Sequence, residues 1–231
     1  MKQALKIEEE LTYIDAMDII GGLSKPSKMP WHGWSTSAYD CKTGSKLRGI
    51  KGSTCSSCYA CKGNYCFQNV KDAHARRMAG LSHPQFVEAF ILVLNTLYER
   101  GKKTYVYRTR ITKENRFRWH DSGDIQSVEH LRMINEIAKA TPKIRHWIPT
   151  REYGMVNEFL KTNKFAFNLT VRMSAVMIGD EFKKQPMGLP SSTVGVKTAK
   201  SQCPAYTQGG ACQDCNRCWD KTVKNVNYPL H

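Results

Sequence analysis

The feature that most constrains this chain is where its nine cysteines fall. Eight of them lie in two short stretches, Cys55, Cys58, Cys61 and Cys66 in one and Cys203, Cys212, Cys215 and Cys218 in the other, with Cys41 just ahead of the first. An odd number of thiols crowded at two ends is a poor disulfide framework. In a reducing compartment such clustering reads as metal ligation. The N-terminal residues 1–11 include Glu8, Glu9 and Glu10 and no apolar h-region, so no secretory signal is expected there. No apolar run is long enough to span a bilayer. The expectation is therefore a cytoplasmic protein that does not enter a membrane.

The C-terminal run, Cys203-Pro204, eight residues, then Cys212-x2-Cys215-x2-Cys218, brings three thiolates to one face of a cubane cluster and offers a more distant fourth. Gly209 and Gly210 let the backbone wrap closely around such a group. This spacing favours a 4Fe-4S cluster held by Cys203, Cys212, Cys215 and Cys218. The alternative is zinc, which four thiolates also satisfy, although zinc ribbons usually pair two separated C-x2-C knuckles. The N-terminal run repeats the x2, x2 spacing through Cys55, Cys58 and Cys61. With Cys41 and Cys66 added it has five thiols for four positions, so a second cluster, a zinc site or a partly used set all remain open. Lys62, Lys71, Arg76 and Arg77 stand close enough in sequence to support thiolates or an anionic ligand.

Between the two runs the pattern alternates. Residues 12–54 are rich in Gly, Ser, Pro and Lys and read as turns and loops. Helices are expected over 69–79, from 82 through Leu97, over 128–139 and over 156–162; strands are expected over 104–109, 116–120, 144–148, 165–171 and 193–196. This β-then-α rhythm gives an α/β fold: a partial (βα) barrel or an open, mostly parallel sheet, in one domain spanning 1–231, with cysteine-rich segments at 41–66 and 203–218. The chain is too short for a complete eight-unit barrel of about 250 residues.

In such folds ligands gather where strands end. Three expected strand ends carry polar groups: His120, Asp121, Ser122 and Asp124; then Arg151 and Glu152; then Arg172. His120, Asp121, Asp124, Arg151 and Arg172 are thus candidates for binding an anionic substrate, with helix capping and ordinary ion pairing as the alternatives. Trp31, Trp34 and Trp119 either stack on bases or fill core, the commoner fate. Lys and Arg outnumber Asp and Glu by 35 to 20, a formal charge of +15, which attracts nucleic acid or anionic small molecules.

Several motifs together, the Cys58-Tyr-Ala and Lys62-Gly-Asn-Tyr65 pieces, Asn69-Val70, His120-Asp-Ser-Gly-Asp124, Pro149-Thr-Arg151 and the terminal Cys-Pro…Cys-x2-Cys-x2-Cys218-Trp219, resemble the phage protein family called gene product 88 over roughly 27–220. The resemblance implies a virus-encoded protein working in the host cytoplasm, with a fold like the partial (βα) barrel of radical enzymes that use S-adenosylmethionine. Those enzymes space their cysteines by three and then two, whereas this chain has two and two. Three functions follow as expectations: an iron–sulfur protein with a redox or structural cluster; a radical S-adenosylmethionine-like enzyme; and a zinc-stabilised nucleic-acid-binding module.

Overall fold

A computed structural model describes residues 10–105, 115–197 and 201–230, with the side chains of 102–105 outside that description. Six strands, β1 (Gly33–Trp34), β2 (Arg116–Trp119), β3 (Arg145–Thr150), β4 (Leu169–Ser174), β5 (Ser191–Val194) and β6 (Asn225–Tyr228), pair in sequential order, every pair parallel. The edge strands β1 and β6 are not paired with each other, so the sheet is open. Six helices accompany it: α1 (Tyr13–Ile19), α2 (Lys42–Leu47), α3 (Gln68–Gly80), α4 (Phe86–Tyr105), α5 (Val128–Ala140) and α6 (Tyr153–Thr162). The α/β expectation is met. Among the described residues no helix is long and apolar enough to cross a membrane.

The period-2 rule explains the two faces of the sheet. Phe117 and Trp119 of β2, His146 and Ile148 of β3, and Leu169, Val171 and Met173 of β4 point to one side, where α4, α5 and α6 cover them. Helix α4 presents Phe86, Ala89, Phe90, Val93 and Leu94, the spacing of one helical stripe, and all are buried. Trp34 of β1 lies edge-on to Phe86, Phe90 and Trp119, and its Nε1 donates to the Ile20 carbonyl at 2.8 Å, which ties α1 to the sheet. The three tryptophans weighed as base-stacking groups are therefore core.

The alternation fails after β4. Among the described residues only short 3-10 turns, and no α-helix, lie between β4 and β5 or between β5 and β6. There the helix-side positions are small and polar, and they satisfy one another: Ser191 Oγ donates to Asn225 Oδ1 at 2.9 Å, Thr193 Oγ1 to Asn227 Oδ1 at 2.9 Å and Asn225 Nδ2 to Thr193 Oγ1 at 3.0 Å. The expected strand 193–196 begins two residues earlier and ends at Val194, and 165–171 is shifted to Leu169–Ser174. Strands β1 and β6 and helix α1 fall where only loops or nothing were expected. Of the strand expected at 104–109, residues 104 and 105 end α4 and the remainder lies outside the described residues.

Buried histidines sharpen the energetics. His146 Nδ1 accepts from Trp119 Nε1 at 3.2 Å, while its Nε2 lies 2.8 Å from Thr141 Oγ1, whose hydroxyl donates to the Ile137 carbonyl. That network needs the neutral ring. Burial lowers His146 from 6.5 to about 3; burial and then Arg118 lower His120 to about 3; and burial with His120 lowers His130 well below 6.5. Because the unfolded chain binds these protons below pH 6.5 and the folded chain does not, stability falls as pH drops from 6.5 toward 3. Asp124, raised by burial from 3.8 to about 6, acts oppositely between those values, but three histidines outweigh it. Urea unfolding should thus show a loss of about 1–3 kcal/mol between pH 7 and pH 5.5; an unchanged midpoint would show that the rings protonate in the native state.

Candidate functional site

The face of the sheet opposite the helices is covered by the C-terminal cysteine segment, and Arg172 holds it there. From the middle of β4 its side chain reaches that face, fully buried. Nε donates to the Cys218 carbonyl, the two Nη groups to the carbonyls of Ser191, Val223, Arg217 and Asp220. Guanidinium has five N–H donors, so every one is used. Arg116 works similarly at the start of β2, donating to the Cys215 carbonyl at 2.7 Å and the Gln213 carbonyl at 3.1 Å. Trp219 packs edge-on against Trp147 at 5.1 Å, donates from Nε1 to the Phe117 carbonyl at 2.9 Å, and accepts from Thr170 Oγ1 at 2.9 Å. Cys203 N donates to the Asn227 carbonyl and Cys212 N to the Lys28 carbonyl, so both ends of the loop between them are pinned.

This arrangement brings the four C-terminal thiols into one electrostatic neighbourhood. Burial raises Cys203, and Cys215 adds to it; burial raises Cys212, with Cys203 and Cys215 adding and Arg118 and Arg116 opposing. Burial pushes Cys218 up to about 12 against a hydrogen bond from Tyr228 (Sγ to Oη 3.2 Å) and the charge of Arg172, with Cys203 and Cys212 raising it further. Arg118, half-buried with its guanidinium 4.7 Å over the Trp147 ring, links this group to the strand ends. Burial works against its charge, yet Tyr59, Asp121, Tyr228 and Cys218 hold it above its ordinary value.

At the strand ends the N-terminal cysteine segment forms the cover. Asp121 accepts Tyr59 Oη at its carbonyl and Tyr65 Oη at Oδ2, 3.0 Å. Glu152, buried, accepts Thr43 N at 2.8 Å and Thr43 Oγ1 at 2.7 Å. Thr54 bonds the Ala175 and Val176 carbonyls beyond β4. Asp124 instead stitches two strand ends together: Oδ1 accepts Thr150 Oγ1 at 2.6 Å and Ile125 N, and Oδ2 accepts Arg151 N at 2.9 Å. Gly123 makes the turn feasible, since its φ is +76° and a Cβ would lie 2.2 Å from Thr36 Oγ1.

The five candidate substrate groups are therefore divided. Asp124 and Arg151 are joined at the ends of β2 and β3 through the Arg151 main-chain N–H, while Arg151 Nε donates to the Ala175 carbonyl at 3.2 Å and Asp121 at the end of β2 is taken by Tyr59 and Tyr65. His120 does not join them: its φ of +55° breaks the alternation and turns its ring to the helix side, against Trp34 and His130. Arg172 is two residues short of the end of β4 and is consumed by main-chain carbonyls. Arg77, expected near thiolates, is buried instead and donates to the Gly22 carbonyl at 3.0 Å. Arg118, Tyr59 and Tyr228 are the residues that sequence reasoning missed, and Glu152, read at a strand end, was not among the five candidates. Alternation along β2 was a signal for Arg118, which shares its face with Arg116. Among the described residues no three His, Cys, Asp or Glu side chains converge at the spacing of a single bound ion.

Replacing Arg172 with Leu removes five donors and leaves buried carbonyls unpaired, so we expect a loss of about 3 kcal/mol or more in denaturant unfolding. Arg172→Lys, with three donors and no planar fork, should recover only part of it. A loss within ~0.5 kcal/mol for Arg172→Leu would show that the segment is held by other contacts.

No curated protein and no solved structure matches the chain. The family model described as gene product 88 does match, over residues 3–221, which takes in both cysteine segments, the whole of β1 to β5 and the strand-end groups. The chain therefore belongs to the gene product 88 family.

Proposed function

We propose that this chain is a virus-encoded iron–sulfur protein of the host cytoplasm, with a 4Fe-4S cluster on Cys203, Cys212, Cys215 and Cys218. One observation carries the reading: the four thiols of the C-terminal run share a neighbourhood on the open face of the sheet, beside the guanidinium groups of Arg116, Arg118 and Arg172. Four thiolates on a cubane leave a net negative group, and buried cations offset it. A cubane also separates its ligands more widely than one zinc ion does, whose tetrahedral thiolates at 2.3 Å stand about 3.8 Å apart. Zinc is the competing occupant.

The chain's own residues set what such a centre does. With four thiolates available, every iron is filled, which suits electron transfer or structural support rather than an open coordination position. Arg172 and Arg116 fix the peptides that carry the ligands. Trp147, Trp219 and Val226 form a dry wall beside Cys218, the kind of environment that tunes a cluster's potential. Less supports an enzyme binding an anionic substrate at the strand ends, because His120 and Arg172 stand apart from the other three candidates.

The test is iron, sulfide and zinc analysis of protein purified without oxygen, alongside the Cys212→Ser/Cys215→Ser variant. The variant should contain about four iron and four sulfide fewer per chain, with matching loss of visible absorbance. Equal metal content in both proteins, or loss of zinc without iron, would overturn the proposal.

A further inference from the structure

The N-terminal cysteines pose a separate structural problem. Residues 35–67 join neither hydrophobic cluster, whose members come from Leu11–Trp34 on one side and from Leu81 onward on the other, and bury only Ala38, Leu47, Cys55 and Ala60 of their own apolar side chains. Their regular structure is one six-residue helix and three short 3-10 turns. Yet this stretch lies over the ends of three strands, fixed through Thr43, Thr54, Tyr59 and Tyr65. A segment of this length without core is usually held by a cross-link.

The thiols are placed to supply one. A Cβ added to Gly44 would meet Cys41 Cβ at 3.0 Å, Cys41 Sγ at 3.5 Å and Cys55 Sγ at 3.6 Å, so two sulfurs from opposite ends of the segment converge on the one helical position with no side chain. Cys58 lies close enough to both Cys41 and Cys61 for their charges to interact. Cys66 is different. It is exposed, and its Sγ donates to the Cys61 carbonyl at 3.5 Å.

We infer a second metal centre held by Cys41, Cys55, Cys58 and Cys61, with Cys66 outside it, that clamps residues 41–61 over the ends of β2, β3 and β4. Because no three of these side chains converge at the spacing of a single ion, the four thiolates fit the wider iron–sulfur cluster and leave no open coordination position. The centre pulls the two ends of the cover together across Gly44, which burial of apolar surface does not do there. This inference does not rest on the C-terminal cluster.

Metal analysis of the full chain purified without oxygen separates the possibilities. Cys55→Ser/Cys58→Ser should lose one centre, about four iron with four sulfide per chain, while Cys66→Ser retains the full content. The double variant should also be cut by protease within 41–61 while the wild type is not. Gly44→Val, which keeps every thiol but fills the space between Cys41 and Cys55, should lose the same metal; it reads the site even where the double variant does not fold. Full metal content in Gly44→Val, or a loss in Cys66→Ser equal to that of the double variant, would overturn the inference. The C-terminal variant failing to lose iron would leave this site standing, so the two readings fail separately.

Discussion

Five N–H groups of one buried guanidinium, spent on five main-chain carbonyls, organise half of this molecule. Arg172 is the point where β4, the start of β5 and the segment 217–223 meet. A parallel sheet is usually covered by helices on both faces. Here helices cover only one, and the other receives an irregular segment whose carbonyls would otherwise be buried without donors. Arginine solves that problem because its planar fork serves several acceptors in fixed directions. Trp219 and Cys218 reach their places because the peptides on either side are held.

The same logic runs through the strand ends with the signs reversed. There the cover offers donors, Thr43, Tyr59 and Tyr65, and the strands offer acceptors, Glu152 and Asp121. Charged hydrogen bonds of this kind are stronger than neutral ones and fix orientation. Two irregular, cysteine-rich segments are therefore docked largely by complementary polar anchors, with the Trp147–Trp219 cluster adding apolar area on the open face. Arg118 lies where the two systems meet, close to Cys212 and Cys218 on one side and to Tyr59 and Asp121 on the other.

How much of this was legible follows from what periodicity can carry. Helices α4 and α5 and strand β3 were readable because each is long enough to repeat its pattern. The two-residue β1 has no period, and β6 carries Asn where a buried strand normally carries apolar residues. Gly, Ser and Lys in 12–54 correctly signalled irregular structure over much of that stretch but hid the capped helix α1, which Thr12 and Asp15 open with a capping box. His120 was grouped with Asp121 because sequence adjacency suggests a shared site; a positive φ, invisible in the sequence, sends the ring elsewhere. Arg172 was placed at a strand end because β4 was expected to stop at 171. It runs to Ser174, and alternation then puts Arg172 opposite Val171 and Met173, on the open face.

The cysteine spacing was legible throughout, but the settings of the two runs were not. Both carry C-x2-C-x2-C and both draw a fourth thiol from upstream. The C-terminal thiols face Arg116, Arg118 and Arg172, so the charge of a thiolate is assisted by the sheet itself. Burial disfavours the Cys41 thiolate first, and Asp124 and Glu152 then oppose it, while Arg48 is the cation close to Cys61. A metal at the strand ends, as proposed, would have to supply most of the compensating charge itself, whereas the arginines supply part of it on the open face. Identical spacing in the sequence thus ends in two sites of unlike electrostatics, because alternation decides which face a run meets and the residues of that face decide its charge.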